Sequence, residues 1–591
     1  MHLIPQVQKR EEFSDAFEFK SFFADTPEIP VDYIKTFSEF KKDGVRIEFK
    51  KDERLQDEEY FLELSDIIAI TAKGAEGAFR ACTTLKQLAA DENLKKQKIH
   101  DFPDIKNRGV MIDISRGKIP KLEVLLKMAE ILRDLKYNQI QLYIDGPFFE
   151  FAHFEKYCKD VLTVEDLKIF KDFCDKHFIK LVPNQNAFGH MEKWLKKPEL
   201  AHLGIECGED KQMDTLNPLD KASLDFIDTL FADSLPYFDE PLINIGMDET
   251  WSLGMGQTKE ICEKEGKGKV YVDYLNKVIK LANEKYHKTP MFWDDIALNH
   301  SELLDGVDKN CIVMDWNYES EAPFNERARL LNELGLKFYA CPGTSTWGSF
   351  TGRFDNMINN QESAAKAVIE FGGEGYLLTD WGDGGNPQFF PMSIMPYIFG
   401  ACCAWNYEKK PEKLHSYVSY DKEVMILKRC EEYADKFIFG QKGVGRILHK
   451  MANYYLLENQ NRFNGTYVWA DSEAWCKDEI PDNEWLKPCL DIPTIRSIIR
   501  YMSDIKAEIA ALPENTPYID EISCNCDEVI LFARFIESSL QKTGKTFKND
   551  ALKSDLETFK KEFVRLWNTK NHKTGSEIFI ARIDGMLKCM E

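Results

Sequence analysis

The chain has 591 residues, more than one hydrophobic core accommodates, so we expect a large domain together with smaller ones. Hydrophobic residues make up 43% and charged residues 30%, as in ordinary globular proteins, and no run approaches the ~20 apolar residues of a membrane-spanning helix. The formal net charge of −22 argues against nucleic acids and anionic membranes as partners.

The fifteen cysteines are scattered, without the paired spacing of a metal-ligand motif. This favours free thiols in a reducing compartment. The first residues also lack the apolar run of a signal peptide. We therefore expect a cytoplasmic protein with no metal and no cofactor.

Residues 1–103 predict a small α/β accessory domain. Residues 44–49 alternate between apolar and polar like a half-buried strand, and 60–64 and 67–71 continue this pattern. Residues 74–90 carry apolar side chains at the spacing of one helix face.

Residues 104–408 alternate between strands and helices. Eight such units in about 300 residues are the size and order of a (β/α)₈ barrel, or TIM barrel. A doubly wound open sheet is the alternative, but none of the turns carries its phosphate-binding glycine fingerprint. The predicted strands are 108–114, 139–145, 180–186, 242–247, 290–293, 311–316, 337–341 and 375–379, and the predicted helices are 122–135, 164–178, 224–237, 270–286, 327–334, 363–371 and 392–405.

Residues 409–591 predict a mostly helical C-terminal domain, with periodic stretches at 427–437, 495–512 and 526–540. The sequence leaves open whether this domain forms a homodimer, completes a binding pocket or only packs against the barrel.

Candidate functional residues come from the carboxyl ends of the predicted barrel strands, where barrel active sites form. Carboxylates end at least four strands, and a tryptophan lies at or just past each of strands five to eight. Such a set suits a sugar, because indole rings pack on the apolar face of a pyranose while polar groups bind its hydroxyls. The residues at these ends include Asp145, His190, Asp248, Glu249, Trp293, Trp316, Tyr318, Trp347, Trp381 and Asp383, together with Asp113, which we expect to be structural.

The pair Asp248-Glu249 is distinguished by its context, since seven other Asp-Glu dipeptides occur in the chain. It follows the apolar segment 243–247, so its carboxylates are expected to be partly buried. Burial raises a carboxyl pKa and suits one of the two for acid catalysis near neutral pH. Both can face one site only if the strand has ended or bulged, which Gly246 permits.

These segments resemble family 20 of the glycoside hydrolases, the β-N-acetylhexosaminidases. The family signature His-x-Gly-x-Asp-Glu is present as Asn-Ile-Gly-Met-Asp-Glu at 244–249. The run 104–116 is similar to the first barrel strand of the family, 381–383 to its Trp-Gly-Glu, and 78–88 to its accessory domain. Asn244 and Asp383 depart from the family's His and Glu, which resembles a divergent, intracellular-type branch.

The resemblance implies exo-acting removal of terminal β-linked GlcNAc or GalNAc from a glycan or glycoconjugate. The substrate's own 2-acetamido oxygen attacks the anomeric carbon, giving retention through an oxazolinium ion. Glu249 would protonate the leaving oxygen and then activate water, and Asp248 would orient the acetamido N–H. The remaining roles implied are Arg108 at hydroxyls 3 and 4, Asp383 at hydroxyls 4 and 6, Trp293, Trp316 and Trp381 as pocket walls, Tyr318 at the acetamido oxygen, His190 as support for the acid, and Asp145 and Trp347 beside the substrate.

Three alternatives remain open from the residues alone. A retaining glycosidase with a protein nucleophile needs a second carboxylate about 5 Å from the acid, for which Asp145, Asp295 and Asp383 are candidates. A non-catalytic carbohydrate-binding barrel would have no need of both Asp248 and Glu249. A metal-dependent hydrolase needs clustered histidines, whereas only His190 lies near a strand end.

Overall fold

The computed structural model describes residues 2–208, 213–294, 301–418, 422–476, 488–541 and 546–590. Three apolar clusters organise this part of the chain. One fills the N-terminal domain, one fills the inside of the barrel, and the largest lies around the barrel strands and continues into the C-terminal helices. No helix within the described ranges is long and apolar enough to cross a membrane.

The N-terminal domain is a seven-stranded sheet carrying the helix Ala75–Ala89, in the strand order β1-β7-β5-β6-β4-β2-β3. The three predicted strands and the helix are confirmed. Four further strands were not predicted; β1, for example, is almost entirely exposed and so lacks an alternating pattern. The elements are β1 Lys9–Ala16, β2 Ser21–Phe23, the short helix Val31–Ile34, β3 Glu39–Phe40, β4 Val45–Lys51, β5 Tyr60–Leu64, β6 Ile68–Ala72 and β7 Lys95–Asp101.

Eight parallel strands form the central barrel, as predicted, in the order β10-β9-β8-β15-β14-β13-β12-β11. The ring closes between β10 and β11, where Gln185 N–H donates to Asn244 O at 2.9 Å and Asn244 N–H donates to Pro183 O at 2.9 Å. The strands are β8 Asn107–Asp113, β9 Gln139–Tyr143, β10 Lys180–Val182, β11 Leu242–Asn244, β12 Thr289–Trp293, β13 Ile312–Trp316, β14 Lys337–Cys341 and β15 Gly375–Asp380.

Helices surround the barrel at the predicted places, and Phe354–Phe371 begins earlier than predicted. Between β12 and β13, the described residues contain only the 3₁₀ turn Ser301–Gly306 where the strand–helix pattern predicted a helix. The α-helices of this region are Leu122–Asp134, Val164–Lys176, Glu192–Leu195, Lys221–Ser234, Lys259–Glu265, Lys267–Tyr286, Phe324–Glu333, Phe354–Phe371 and Ile394–Trp405.

A buried ionic cluster joins the N-terminal domain to the base of the barrel. Glu58 Oε1 accepts from Arg80 Nε at 2.7 Å and from Arg108 Nη2 at 2.6 Å. Burial alone would raise the pKa of Glu58, but the two guanidinium groups outweigh it and hold this pKa below its ordinary value. Beside it, Lys136 Nζ donates to Asp101 Oδ2 at 2.8 Å.

The C-terminal region is mostly helical, as predicted, but it begins with an antiparallel hairpin, β16 Leu414–Val418 and β17 Lys422–Ile426, that the sequence did not predict. The predicted boundaries at 103/104 and 408/409 stay predictions, since barrel and C-terminal helices share one core. The α-helices are Lys428–Tyr433, extended by a π-turn at Ala434–Phe439, Val444–Met451, Tyr467–Ala474, Ile492–Ala510, Ile519–Leu540, Asp550–Lys570 and Ser576–Lys588.

Candidate active site

The loop after β11 turns two neighbouring carboxylates toward one cavity. The strand ends at Asn244, three residues earlier than predicted, and the backbone then adopts positive φ at Gly246 (66°), Met247 (83°) and Glu249 (49°). A Cβ at Gly246 would lie 2.4 Å from Asn186 Oδ1, so the close approach requires glycine. The ended strand thus allows Asp248 and Glu249 to face the same site.

The cavity at this end of the barrel has a volume of about 380 Å³, within the range of about 300–1,000 Å³ for small-molecule sites. Eight of the predicted site residues line it. The full lining is Arg116, His190, Asp248, Glu249, Trp293, Trp316, Asn317, Tyr318, Trp381, Asp383, Phe463 and Asn464.

His190 lies between the two carboxylates. Its Nε2 is 3.1 Å from Asp248 Oδ2 and 3.3 Å from Glu249 Oε2. Burial lowers the pKa of the imidazole, but Asp248 and Glu249 outweigh burial and raise this pKa well above its ordinary value. Gly189 permits the arrangement, because a Cβ there would meet the backbone oxygen of Asp248 at 2.0 Å.

Three buried polar atoms of the lining residues have no hydrogen-bond partner among the residues that the structure describes. They are the acceptor Asp248 Oδ1 and the indole donors Trp293 Nε1 and Trp316 Nε1. Buried polar groups are rarely left unpaired, because each costs about 1–3 kcal/mol. These atoms therefore indicate a ligand that presents both an N–H or O–H group and a hydrogen-bond acceptor.

The aromatic side chains form a connected wall. Trp381 Nε1 donates to Tyr318 Oη at 2.7 Å, and the rings of Trp316 and Tyr318 stack with centroids 5.2 Å apart. Trp347 was predicted to line the site, but it lies behind Tyr318, edge-to-face at 5.0 Å, and only 2% of it is exposed. It supports the wall without lining the cavity.

The prediction that Arg108 binds the sugar is wrong, because Arg108 lies at the end of the barrel opposite the cavity. Arg108 is the second residue of β8, so its side chain lies at the base of the barrel, where it binds Glu58 and the backbone oxygens of Ile105, Lys106 and Lys136.

The arginine of the cavity is Arg116, which sequence analysis missed as a site residue. Its Nε lies 3.6 Å from Asp383 Oδ1, and its guanidinium carbon lies 4.5 and 4.6 Å from the ring centroids of Tyr143 and Trp381. Its position just past the carboxyl end of β8 could have identified it from the sequence, because barrel active sites form at those ends. Burial raises the pKa of Asp383, and Arg116 offsets this only in part.

Asp145 is buried beside the cavity and does not line it. Lys193 Nζ donates to both of its oxygens at 2.7 and 2.8 Å, and Arg116 Nε lies 4.0 Å away. Burial would raise the pKa of Asp145, but Lys193 and Arg116 outweigh it and lower this pKa. Asp145 thus positions Arg116, in place of the predicted direct contact with substrate.

Asp113 has the structural role that we expected. It accepts backbone N–H groups from Ser115 at 2.8 Å and Gly382 at 2.9 Å, which ties the loops after β8 and β15 together.

Phe463 and Asn464 of the C-terminal region complete the cavity. Asn464 N–H donates to Glu319 Oε1 at 2.7 Å, and Asn464 Oδ1 accepts from Trp347 Nε1 at 2.8 Å. Of the roles left open for this region, the structure therefore supports pocket completion. No local pattern marked these residues, because the contact joins distant parts of the chain.

Within the described residues, no group of three or more His, Cys, Asp or Glu side chains is arranged to hold a metal ion. Asp295, a candidate nucleophile, lies outside the described residues.

Residues 106–347 match the model of the catalytic domain of glycosyl hydrolase family 20. The β-hexosaminidase subunit beta of Rattus norvegicus is 23% identical over 370 residues, covering 57% of this chain and 67% of that protein.

Two solved structures are similar in fold. A β-N-acetylhexosaminidase from Bacteroides fragilis has a TM-score of 0.55 at 15% identity, covering 68% of this chain and 91% of its own. An exo-β-N-acetylglucosaminidase from Vibrio harveyi, in complex with N-acetylglucosamine, has a TM-score of 0.53 at 19% identity, covering 68% and 73%. The match over residues 106–347, together with the paired carboxylates after β11, identifies a glycosyl hydrolase family 20 catalytic domain within this chain, and the chain is a glycoside hydrolase.

Proposed function

We propose that this protein is an exo-acting β-N-acetylhexosaminidase that releases terminal β-linked N-acetylhexosamine with retention of configuration, through an oxazolinium intermediate. The observation that carries the proposal is Asp248 Oδ1, which lies beside Glu249 and has no hydrogen-bond partner among the described residues. The same cavity offers two indole N–H donors that also lack a partner there. A 2-acetamido group has one N–H donor and one carbonyl acceptor, so it complements this set.

The first step needs a nucleophile and an acid. The acetamido oxygen of the substrate attacks the anomeric carbon, and Glu249 gives its proton to the departing glycosidic oxygen. Asp248 accepts the acetamido N–H and stabilises the positive charge that develops on the group as the ring closes. In the second step Glu249 removes a proton from water as the water oxygen bonds to the anomeric carbon. The bond between that carbon and the acetamido oxygen breaks, which opens the oxazolinium ion and restores the acetamido group.

The aromatic wall holds the acetamido group in position. Trp293 and Trp316 supply the indole donors, and Tyr318 accepts from Trp381, which leaves its phenol hydrogen to be donated to the acetamido oxygen. Holding the acetamido oxygen next to the anomeric carbon accelerates the first step strongly, because the attack is then intramolecular.

Arg116 and Asp383 bind the hydroxyls on the far side of the ring. The guanidinium group donates to two neighbouring hydroxyls, and the carboxylate of Asp383 accepts from the hydroxyls at carbons 4 and 6. We hypothesise that the shorter Asp383, where the family has Glu, fits an axial or substituted hydroxyl at carbon 4 or 6. Equal rates on GlcNAc and GalNAc substrates, with no gain for a 6-substituted sugar, would argue against this.

A protein nucleophile is the main rival mechanism. Asp145 is a poor candidate, because Lys193 holds both of its oxygens. The two mechanisms differ in their response to fluorination of the acetyl group, which makes its oxygen less nucleophilic. In the proposed mechanism the hydrolysis rate falls steeply along the series acetyl, fluoroacetyl, difluoroacetyl, and a plain β-glucoside is nearly inert. A flat series with rapid β-glucoside hydrolysis would support the protein nucleophile.

The decisive experiment is hydrolysis of a chromogenic β-N-acetylglucosaminide by the wild type, by Glu249→Gln and by the control Glu260→Gln, which changes an exposed glutamate. We expect Glu249→Gln to lose roughly 10²–10⁴-fold in kcat and the control to match the wild type. A fully active Glu249→Gln variant would remove Glu249 from its role.

The cytoplasmic location and the homodimer are also proposals. All fifteen cysteines fall within the described residues, and none of them forms a disulfide bond there, which supports a reducing compartment. Light scattering on the purified chain tests the dimer, and imaging of a tagged full-length chain tests the location.

A further inference from the structure

A second cavity, of about 370 Å³, lies behind the wall of the catalytic pocket. It is enclosed by the helix Leu122–Asp134, the loop that follows β15 and the end of the helix Asp550–Lys570. Trp381 lines both cavities. Its indole N–H points to Tyr318 in the catalytic pocket, and its backbone oxygen accepts from Gln388 Nε2 at 3.0 Å in the second cavity.

The second cavity contains a lysine that is held by neutral groups. Lys118 Nζ donates to Asn386 Oδ1 at 2.8 Å and to the backbone oxygen of Gln388, so these bonds leave its charge without a bonded carboxylate. Burial lowers the pKa of Lys118 to about 8, which still leaves it mostly protonated at pH 7.

The carboxylates whose charges act on Lys118 are Asp380, Glu528 and Asp113. Each accepts hydrogen bonds from other groups: Glu528 from Asn525 Nδ2 at 2.7 Å, and Asp113 from the backbone N–H groups of Ser115 and Gly382. Asp380 accepts from Thr344, Thr346 and Tyr397, and Lys570 pairs with Glu521 at 3.1 Å. The ammonium of Lys118 is therefore the group of this cavity best placed to receive an anion.

Two further polar atoms in the wall have no hydrogen-bond partner in the described part of the chain. Gln388 Oε1 and Asn571 Nδ2 belong to side chains that are 4% and 3% exposed. Both residues lie near Lys118, because Gln388 accepts from its ammonium and Asn571 forms a β-bridge with Pro120. The cavity thus combines an ammonium group, an amide donor and an amide acceptor, all without a full set of partners.

One part of the remaining wall is apolar and rich in aromatic rings. Met128 and Phe389 are buried, and Val124 and Phe390 lie beside them. Such a surface favours a flat apolar body held by a few polar contacts.

We propose that this cavity is a binding site for a small aromatic carboxylic acid that also carries a hydroxyl group. The carboxylate accepts from Lys118 Nζ and Asn571 Nδ2, the hydroxyl donates to Gln388 Oε1, and the ring packs on Met128 and Phe389. Trp381 lies between the two cavities. Its indole ring therefore responds to a ligand in the second cavity while it lines the catalytic pocket.

Isothermal titration of the full-length protein with 4-hydroxyphenylacetate tests the proposal. We expect saturable binding that weakens at least tenfold for 4-hydroxyphenylacetamide, which lacks the charge, and severalfold for phenylacetate, which lacks the hydroxyl. Lys118→Met should weaken 4-hydroxyphenylacetate at least tenfold. Lys127→Met is the matched control, because this lysine at the rim pairs with Glu130 at 2.9 Å, and it should bind as the wild type does.

Arg116→Met separates the two cavities, since an anion bound in the catalytic pocket would depend on Arg116. We expect this variant to keep its affinity for 4-hydroxyphenylacetate. The proposal is overturned if the wild type shows no saturable binding, if the amide binds as well as the acid, or if Arg116→Met loses the binding. Melting curves check that the variants fold. If Lys118→Met does not fold, the affinities of the wild type for the three probes still test the proposal.

Discussion

The guanidinium carbon of Arg116 lies 4.6 Å from the centroid of the Trp381 ring, so the cation packs on the indole that also lines the catalytic pocket. This contact and the carboxylates of Asp113, Asp145 and Asp383 fix the orientation of the guanidinium plane.

We expect Arg116→Lys to lower kcat/KM on a chromogenic β-N-acetylglucosaminide by roughly 10–100-fold, because an ammonium group retains the charge but loses the planar, two-pronged geometry. Arg108→Lys is the matched control, with the same change at the base of the barrel. It should lower the melting temperature and leave KM near the wild-type value. If Arg116→Lys had wild-type kinetics, Arg116 would not bind substrate.

Asp248→Asn should lower kcat by roughly 10²–10³-fold, because the amide cannot stabilise the positive charge that develops on the acetamido group. KM should change far less, since the ground state carries no such charge. Steady-state kinetics with the same substrate measures both values. A loss seen only in KM would mean that Asp248 contributes to binding and not to the transition state.

The pairing of His190 with two carboxylates makes part of the stability depend on pH. Its folded-state pKa is raised above the ordinary value of about 6.5, so its contribution is fully present below that pH and is lost as the pH rises through the folded-state value. We expect the difference in unfolding free energy between wild type and His190→Gln to be largest below about pH 6 and to shrink in alkaline solution. Urea unfolding across pH measures this difference. A difference that grows with pH would contradict the charged state of His190.

The loop of the C-terminal region that carries Phe463 and Asn464 should contribute to substrate binding more than to the catalytic step. We expect Phe463→Ala to raise KM about fivefold to tenfold with little change in kcat, because a wall of the pocket is lost while Glu249 stays in place. Phe13→Ala, which removes an exposed ring from β1, should have no kinetic effect. An unchanged KM for Phe463→Ala would show that this wall does not contact the substrate.

Local patterns were sufficient to predict the barrel and most of its functional end. Each strand is a short apolar run, and most of the functional residues follow those runs directly. The choice of Arg108 failed because a strand rises about 3.3 Å per residue, which puts the first and last residues of β8 at opposite ends of the barrel. Arg116 lay at the correct end, in the same stretch of sequence.

Other features required three-dimensional information. Phe463 and Asn464 reach the pocket from more than 200 positions beyond Glu249, and nothing in their immediate sequence marks them. The place of Trp347 behind Tyr318 likewise depends on how two loops pack against each other.

Glu58 belongs to the N-terminal domain, yet its carboxylate is shared between Arg80 of that domain and Arg108 of the barrel. Arg108 is 1% exposed, so unfolding of either unit alone would break this buried ion pair and open the base of the barrel to water. Neither unit can then melt ahead of the other without losing these contacts. Calorimetry of the whole chain should accordingly record the sheet domain and the barrel as a single cooperative transition.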